Sequence, residues 1–152
     1  MEIRAYQPED KLNVITLIKQ TIQLTNSKDY SKNQIKAWAD IDSNYWDKSL
    51  INHVAIVAII KEEIVGFSDM TSSGFLDRLF VHHNFQQQRI GKHLLTYLEE
   101  QINVAQYSLY ASITALPFFE KMGYHVIKEN TAKLRGEAFL NYYMTKEKQQ
   151  ND

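Results

Sequence analysis

The chain has 152 residues, no cysteine and a formal net charge of −1. That length fits one domain, which buries about 68–70% of the surface its unfolded chain exposes without a metal or disulfide staple. The composition excludes disulfides, thiolate zinc sites and a cysteine nucleophile, and the near-neutral charge gives none of the broad positive field of a nucleic-acid binder.

Alternation of Ile3 and Ala5 with charged neighbours predicts a first strand over residues 2–7. Pro8-Glu9-Asp10 then opens a helix, with an apolar face at Leu12, Ile15, Leu17, Ile18 and Ile22. The polar stretch 26–30 breaks it. Ser31 is the predicted N-cap of a second helix, Gln34 takes the capping-box position, and Ile35, Trp38 and Ala39 follow. Residues 45–51 make another short helical piece. The N-terminus has no apolar leader core, and the run from Val54 to Ile60 is too short to cross a bilayer. A cytoplasmic protein without membrane contact is the expectation.

Residues 53–60, rich in Val, Ile and Ala, and residues 64–70 form a hairpin around Lys61-Glu62-Glu63. Thr71-Ser72-Ser73-Gly74 turns into a strand over 75–81. A polar loop leads to a long helix with apolar positions at Leu94, Leu95, Leu98 and Ile102. A strand over 107–113, a short helix over 115–122 with Gly123 at its C′ position, and strands over 124–128 and 138–145 complete the chain. Residues 1–148 read as one domain and 149–152 as a disordered tail. The order β-α-α-β-β-β-α-β-α-β-β is mixed α/β (α+β). It predicts a mostly antiparallel sheet, a central parallel strand-helix-strand crossover, and helices on both faces.

The loop Gln86-Gln87-Gln88-Arg89 and helix entrance Ile90-Gly91-Lys92 carry the chemistry. A loop-to-helix junction aims unpaired amides at one spot, and the helix dipole adds partial positive charge. That combination holds phosphate or pyrophosphate. Lys92 could reach a phosphate from there. His82-His83 lacks a third metal ligand at useful spacing, and adjacent strand residues point to opposite faces.

Element order and loop together resemble the GNAT N-acetyltransferases, whose pyrophosphate loop runs Q/R-x-x-G-x-G/A after the fourth strand. Gln86 matches its first position and Gly91 its last, while Arg89 stands where the first glycine usually is. Arginine fits there if residue 89 keeps an ordinary φ. Asp29-Tyr30-Ser31, Ala37-Trp38-Ala39, Thr114-Ala115, Pro117-Phe118-Phe119-Glu120-Lys121, Gly123-Tyr124, Arg135-Gly136 and Asn141-Tyr142 extend the likeness to the YafP-like subgroup. The resemblance covers nearly the whole chain.

It implies acetyl-CoA as donor, CoA as product, and a primary amine of a small molecule or peptide as acceptor. It implies that main-chain groups of Leu79, Phe80 and Val81 pair with the pantetheine arm. It implies an acceptor pocket between the N-terminal helices and the last strands, with Tyr30, Trp38, Tyr45 and Trp46 as its candidates and Tyr30 and Trp38 chosen among them. Asp77, on the fourth strand, is the candidate base. The tyrosine that commonly protonates the thiolate is replaced by Phe119, so Tyr143, with Tyr142 and Tyr124, is the candidate acid. That replacement keeps open an alternative, a non-catalytic acyl-CoA-binding sensor or interaction module. Exposed strand edges leave room for a homodimer.

Overall fold

The computed structural model describes residues 1–149. Seven strands form one sheet: β1 (Glu2–Ala5), β2 (His53–Ile60), β3 (Glu63–Thr71), β4 (Phe75–Val81), β5 (Gln106–Ser112), β6 (His125–Leu134) and β7 (Glu137–Glu147). Their spatial order is β1-β2-β3-β4-β5-β7-β6. Every neighbouring pair is antiparallel except β4 and β5. The parallel pair is bridged by α4 (Ile90–Gln101), the predicted crossover.

Period-two alternation sends side chains to two cores. Ile56 and Ala58 on β2, Leu109 and Ala111 on β5 and Met144 on β7 pack under α4 and the short α5 (Leu116–Lys121). Leu94, Leu95 and Leu98 supply the buried stripe of α4, each stabilising the fold by about 1.5–3 kcal/mol through burial. On the other face, Val57 and Phe67 meet α1 (Lys11–Leu24), α2 (Lys32–Ala39) and α3 (Ser43–Ser49) through Val14, Ile18, Ala39 and Trp46. Trp46 is therefore core rather than pocket wall.

The caps explain where α2 and α5 begin and end. Ser31 Oγ accepts the Gln34 amide at 3.1 Å, and Gln34 Oε1 accepts the Ser31 amide at 2.8 Å. Gln34 Nε2 also donates to the Ala138 carbonyl at 2.7 Å, docking α2 on β7. Gly123 takes φ 95° directly after α5, the left-handed conformation that closes a helix.

Several boundaries differ from expectation: β1 ends at Ala5 rather than residue 7 and β7 runs over Glu137–Glu147 rather than 138–145, and three more shift for local reasons. The first helix is preceded by a 3₁₀ turn, Pro8–Asp10, closed by the Asp10 amide on the Gln7 carbonyl at 2.8 Å and by the Gln7 amide on the Asp10 carboxylate at 2.8 Å. α3 starts at Ser43, because Asp42 accepts the amides of Asn44 and Tyr45 as a cap. β6 runs to Leu134 rather than residue 128; as an exposed edge strand it needs no hydrophobic alternation. Of the expected tail, residues 150–152 lie outside the described residues.

Two features set β4 apart from the other strands. It pairs with β5 only at Phe75–Ser108 and Leu76–Leu109, and then the two strands part. Met70 stands opposite Leu76 but Asp69 opposite Arg78, so Asp77 is bulged out of the ladder. Among the described residues, the β5-facing edge of β4 has no strand partner past Leu76.

Candidate active site

The parting of β4 and β5 opens a cleft of about 1010 Å³. Leu76 to Val81 form one wall, Leu109, Tyr110 and Ser112 the other, and Gln86, Gln87 and Arg89 to Lys92 the mouth. Leu79 and Val81 turn their side chains into one core and Phe80 into the other. Their main chain is what faces the cleft, an edge that an extended arm can join as a strand would.

The mouth is built from backbone. Among the described residues, no amide from Gln86 to Lys92 donates to another group of the chain. Gln86 is held by its side chain, whose Nε2 donates to the Val81 carbonyl at 2.6 Å. Gln87 and Arg89 both adopt φ 64°, and Arg89 serves as N-cap of α4 without a side-chain bond. The expectation of an ordinary φ at residue 89 is overturned. Left-handed backbone costs a non-glycine residue about 1–2 kcal/mol, so the turn holds a shape the residue itself disfavours. The Arg89 side chain is exposed and has no ion pair among the described residues. Ile90 is 2% exposed and offers only its amide. A Cβ on Gly91 would lie 3.2 Å from the Phe118 ring, so glycine lets α4 and α5 meet beside the mouth. Lys92 is exposed at the mouth, and Gln88 lies outside the lining.

Asp77 reaches the cleft because of the bulge. Its side chain is 41% exposed, and Arg78 Nη2 lies 3.6 Å away. Partial burial in a concave wall raises its pKa first, the Asp69 carboxylate adds to this, and Arg78 and His53 oppose it. Arg78 also contributes to the cleft wall and pairs with the buried Asp69 through two hydrogen bonds of 3.0 and 2.7 Å. Its guanidinium also stacks 4.5 Å from the Trp46 ring centroid.

The tyrosines separate. Tyr124 is buried and donates to Glu99 Oε2 at 2.6 Å; burial and then that carboxylate push its pKa far up, which removes it as a proton donor to the cleft. Tyr142 packs against the core under α4. Tyr143 faces the opposite way, its ring centroid 5.1 Å from that of Tyr110. Tyr110 lines the cleft and is 45% exposed, so Tyr143 stands one ring behind the wall. Phe119 is buried against Phe118 and Tyr124.

At the other end of the cleft, Trp38 contributes to the wall and Tyr30 packs on it with centroids 5.4 Å apart. The Tyr30 hydroxyl accepts the Ile113 amide at 2.9 Å, and Thr114 Oγ1 donates to Asp29 at 2.6 Å. Tyr30 is thus half-buried support beneath Trp38, not itself lining. Tyr45 is 65% exposed on α3. His82 and His83 stack at 4.4 Å instead of pointing apart, because the chain leaves the strand at Val81 and turns.

A sequence model described as an acetyltransferase (GNAT) domain matches residues 26–146. The chain is also 35% identical over 144 residues to the uncharacterized N-acetyltransferase YafP of Escherichia coli (strain K12), covering 95% of this chain and 94% of that protein. The chain belongs to the GNAT N-acetyltransferase family. Among solved structures, a GCN5-related N-acetyltransferase from Rhodopseudomonas palustris superposes with a TM-score of 0.93 at 28% identity, over 96% of this chain and 94% of that one. The PaiA N-acetyltransferase of Thermoplasma acidophilum, solved in complex with coenzyme A, has the same fold, with a TM-score of 0.76 at 20% identity over 97% and 98% of the two chains.

Within this GNAT domain, two features escaped the sequence. Tyr110 was discoverable: Tyr107, Leu109 and Ala111 are all buried on one face, so Tyr110 had to face the other. The Asp77 bulge was not, since nothing in Met70 or Leu76 marks a skipped partner.

Proposed function

We propose that this GNAT enzyme takes its acetyl group from acetyl-CoA and passes it to a primary amine by direct attack within a ternary complex, releasing CoA, in the cytoplasm. The observation that carries the reading is the set of unpaired amides from Gln86 to Lys92 at the open end of the β4–β5 split. They are the donors a diphosphate needs, at a helix N-terminus, with Lys92 beside them. The β4 edge at Leu79 to Val81, unpaired by β5 and with only the Val81 carbonyl held by Gln86 and Thr21 side chains, takes the pantetheine arm and fixes the thioester near the bulge. Holding both reactants there is worth roughly 7–11 kcal/mol of barrier.

Asp77 is the base, at the point where the cleft meets the helices of the opposite face. A raised carboxyl pKa suits proton capture better than an ordinary one. Tyr143, whose ring packs on the cleft-lining Tyr110, is the candidate acid for the thiolate in place of the tyrosine that Phe119 replaces, reaching the sulfur only if its hydroxyl turns toward the cleft. Trp38, propped by Tyr30, forms the acceptor wall. Residues 1–148 act as a single catalytic domain. A thiol-release assay with acetyl-CoA and a panel of amines, corrected for hydrolysis, tests the reading. Turnover with at least one amine is expected; tight CoA binding with no turnover on any amine contradicts it.

A further inference from the structure

Asp69 is fully buried, and two side chains close around it. Arg78 takes both of its oxygens, and His53 Nδ1 lies 2.8 Å from Oδ2. Bound by a guanidinium, Asp69 accepts from both, so His53 carries its proton on Nδ1 and leaves Nε2 free in the neutral ring. One ligand atom each of His53, Asp69 and Asp77 lie within 4.8 Å of one another. A divalent cation does not suit the cluster: the lone pairs of Asp69 are committed, and the Arg78 guanidinium 3.6 Å from Asp77 repels a second positive charge. What the cluster does offer is a path for one proton from the cleft to the surface, since the His53 side chain is 16% exposed.

We propose that His53, oriented by the buried Asp69, is a positioning residue for proton transfer that acts through Asp77, drawing off the proton the acceptor amine loses and passing it to solvent. The proposal rests on the transferase reading of the cleft. Asp77 takes one proton from the acceptor ammonium and leaves a lone pair on nitrogen. That pair forms the C–N bond as the thioester C–S bond breaks. The second amine proton is lost as the amide forms and balances the one the sulfur acquires. Asp77 passes the first proton to the His53 imidazole, one nitrogen of which lies within 4.8 Å of an Asp77 oxygen, a gap that one water spans. His53 then returns it to water, so one proton leaves per turnover.

The charged and titratable groups facing this pair are Asp69 from β3 and Arg78 from β4, with Tyr45 of α3 acting on Arg78. His53→Asn keeps an N–H toward Asp69 but has no nitrogen that accepts a proton. Two measurements test the proposal. In the CoA-bound protein, ¹⁵N spectra of the imidazole are expected to show the Nδ1–H tautomer. The Nε2–H tautomer overturns the proposal. With whichever of putrescine, an alanyl peptide or kanamycin supports turnover, His53→Asn is expected to lose roughly tenfold in kcat/KM. Its acidic limb should also move to higher pH, because no imidazolium favours the ionised Asp77. An unchanged profile overturns the proposal while leaving the transferase reading intact. If the wild-type enzyme turns over no amine, the transferase reading fails and the ring spectra alone decide the proton arrangement.

Discussion

The Tyr30 hydroxyl accepts the Ile113 amide at 2.9 Å and so ties the start of α2 to the end of β5 across the cleft. Thr114 and Asp29 repeat the tie one residue along in each segment. Removing the hydroxyl leaves a partly buried amide unpaired, which costs about 1–3 kcal/mol. Tyr30→Phe is therefore expected to lower stability in urea unfolding by an amount in that range. It should raise KM for the amine, through Trp38, more than KM for acetyl-CoA.

Gly91 is the second pressure point. A side chain there meets Phe118 and pushes α4 from α5 beside the mouth. Gly91→Glu also sets a negative charge where a diphosphate is to bind. The CoA-induced rise in Tm should vanish in that variant, while Gly91→Ala should keep a reduced one. Equal shifts for the wild-type protein and Gly91→Glu would remove the loop from the site.

Arg89 separates conformation from contact. Its φ of 64° favours glycine. Arg89→Gly should raise stability by about 1 kcal/mol, or roughly 2–4 °C in Tm for a domain of this size. The same change removes a cation from the mouth, so CoA affinity should fall, and more steeply at low salt. Differential scanning calorimetry and titration with CoA check the two halves independently.

The loop sequence shows how far reading the chain can go. Gln86 and Gly91 located the helix entrance, and the apolar spacing of Leu94, Leu95 and Leu98 located the helix, because local hydrogen bonding and periodicity decide both. The φ of Arg89 was not legible: arginine argues against left-handed backbone, and here the turn between β4 and α4 overrides that preference. The same holds for β6, whose length is set by pairing with β7 rather than by its own polar sequence. Trp38 and Trp46 look alike as helical aromatics, yet only the fold tells that one lines the cleft and the other fills the core.

Asp77 gives a pH prediction with a definite sign. Its folded pKa is raised, so the folded state binds more protons than the unfolded chain over the window between the two values. Its charge therefore opposes folding above that window, and the effect disappears below the unfolded value near about 3.9. Asp77→Asn is expected to be more stable than wild type at pH 7, with the difference closing as pH falls through the carboxylate range. It should lose roughly 10²–10⁴ in kcat/KM. A variant that loses stability at pH 7 would show that Asp77 is held by favourable pairing, not poised for proton capture.

Whether main-chain amides at the mouth of the β4–β5 split grip a diphosphate is tested most directly by a ¹H–¹⁵N titration with CoA and, separately, with pantetheine, which lacks the diphosphate. CoA is expected to move the amide resonances of Gln87 to Lys92 strongly, while pantetheine moves those of Leu79 to Val81 and leaves the loop unchanged. CoA binding that leaves the loop amides unshifted, or equal affinity for both compounds, would contradict the account.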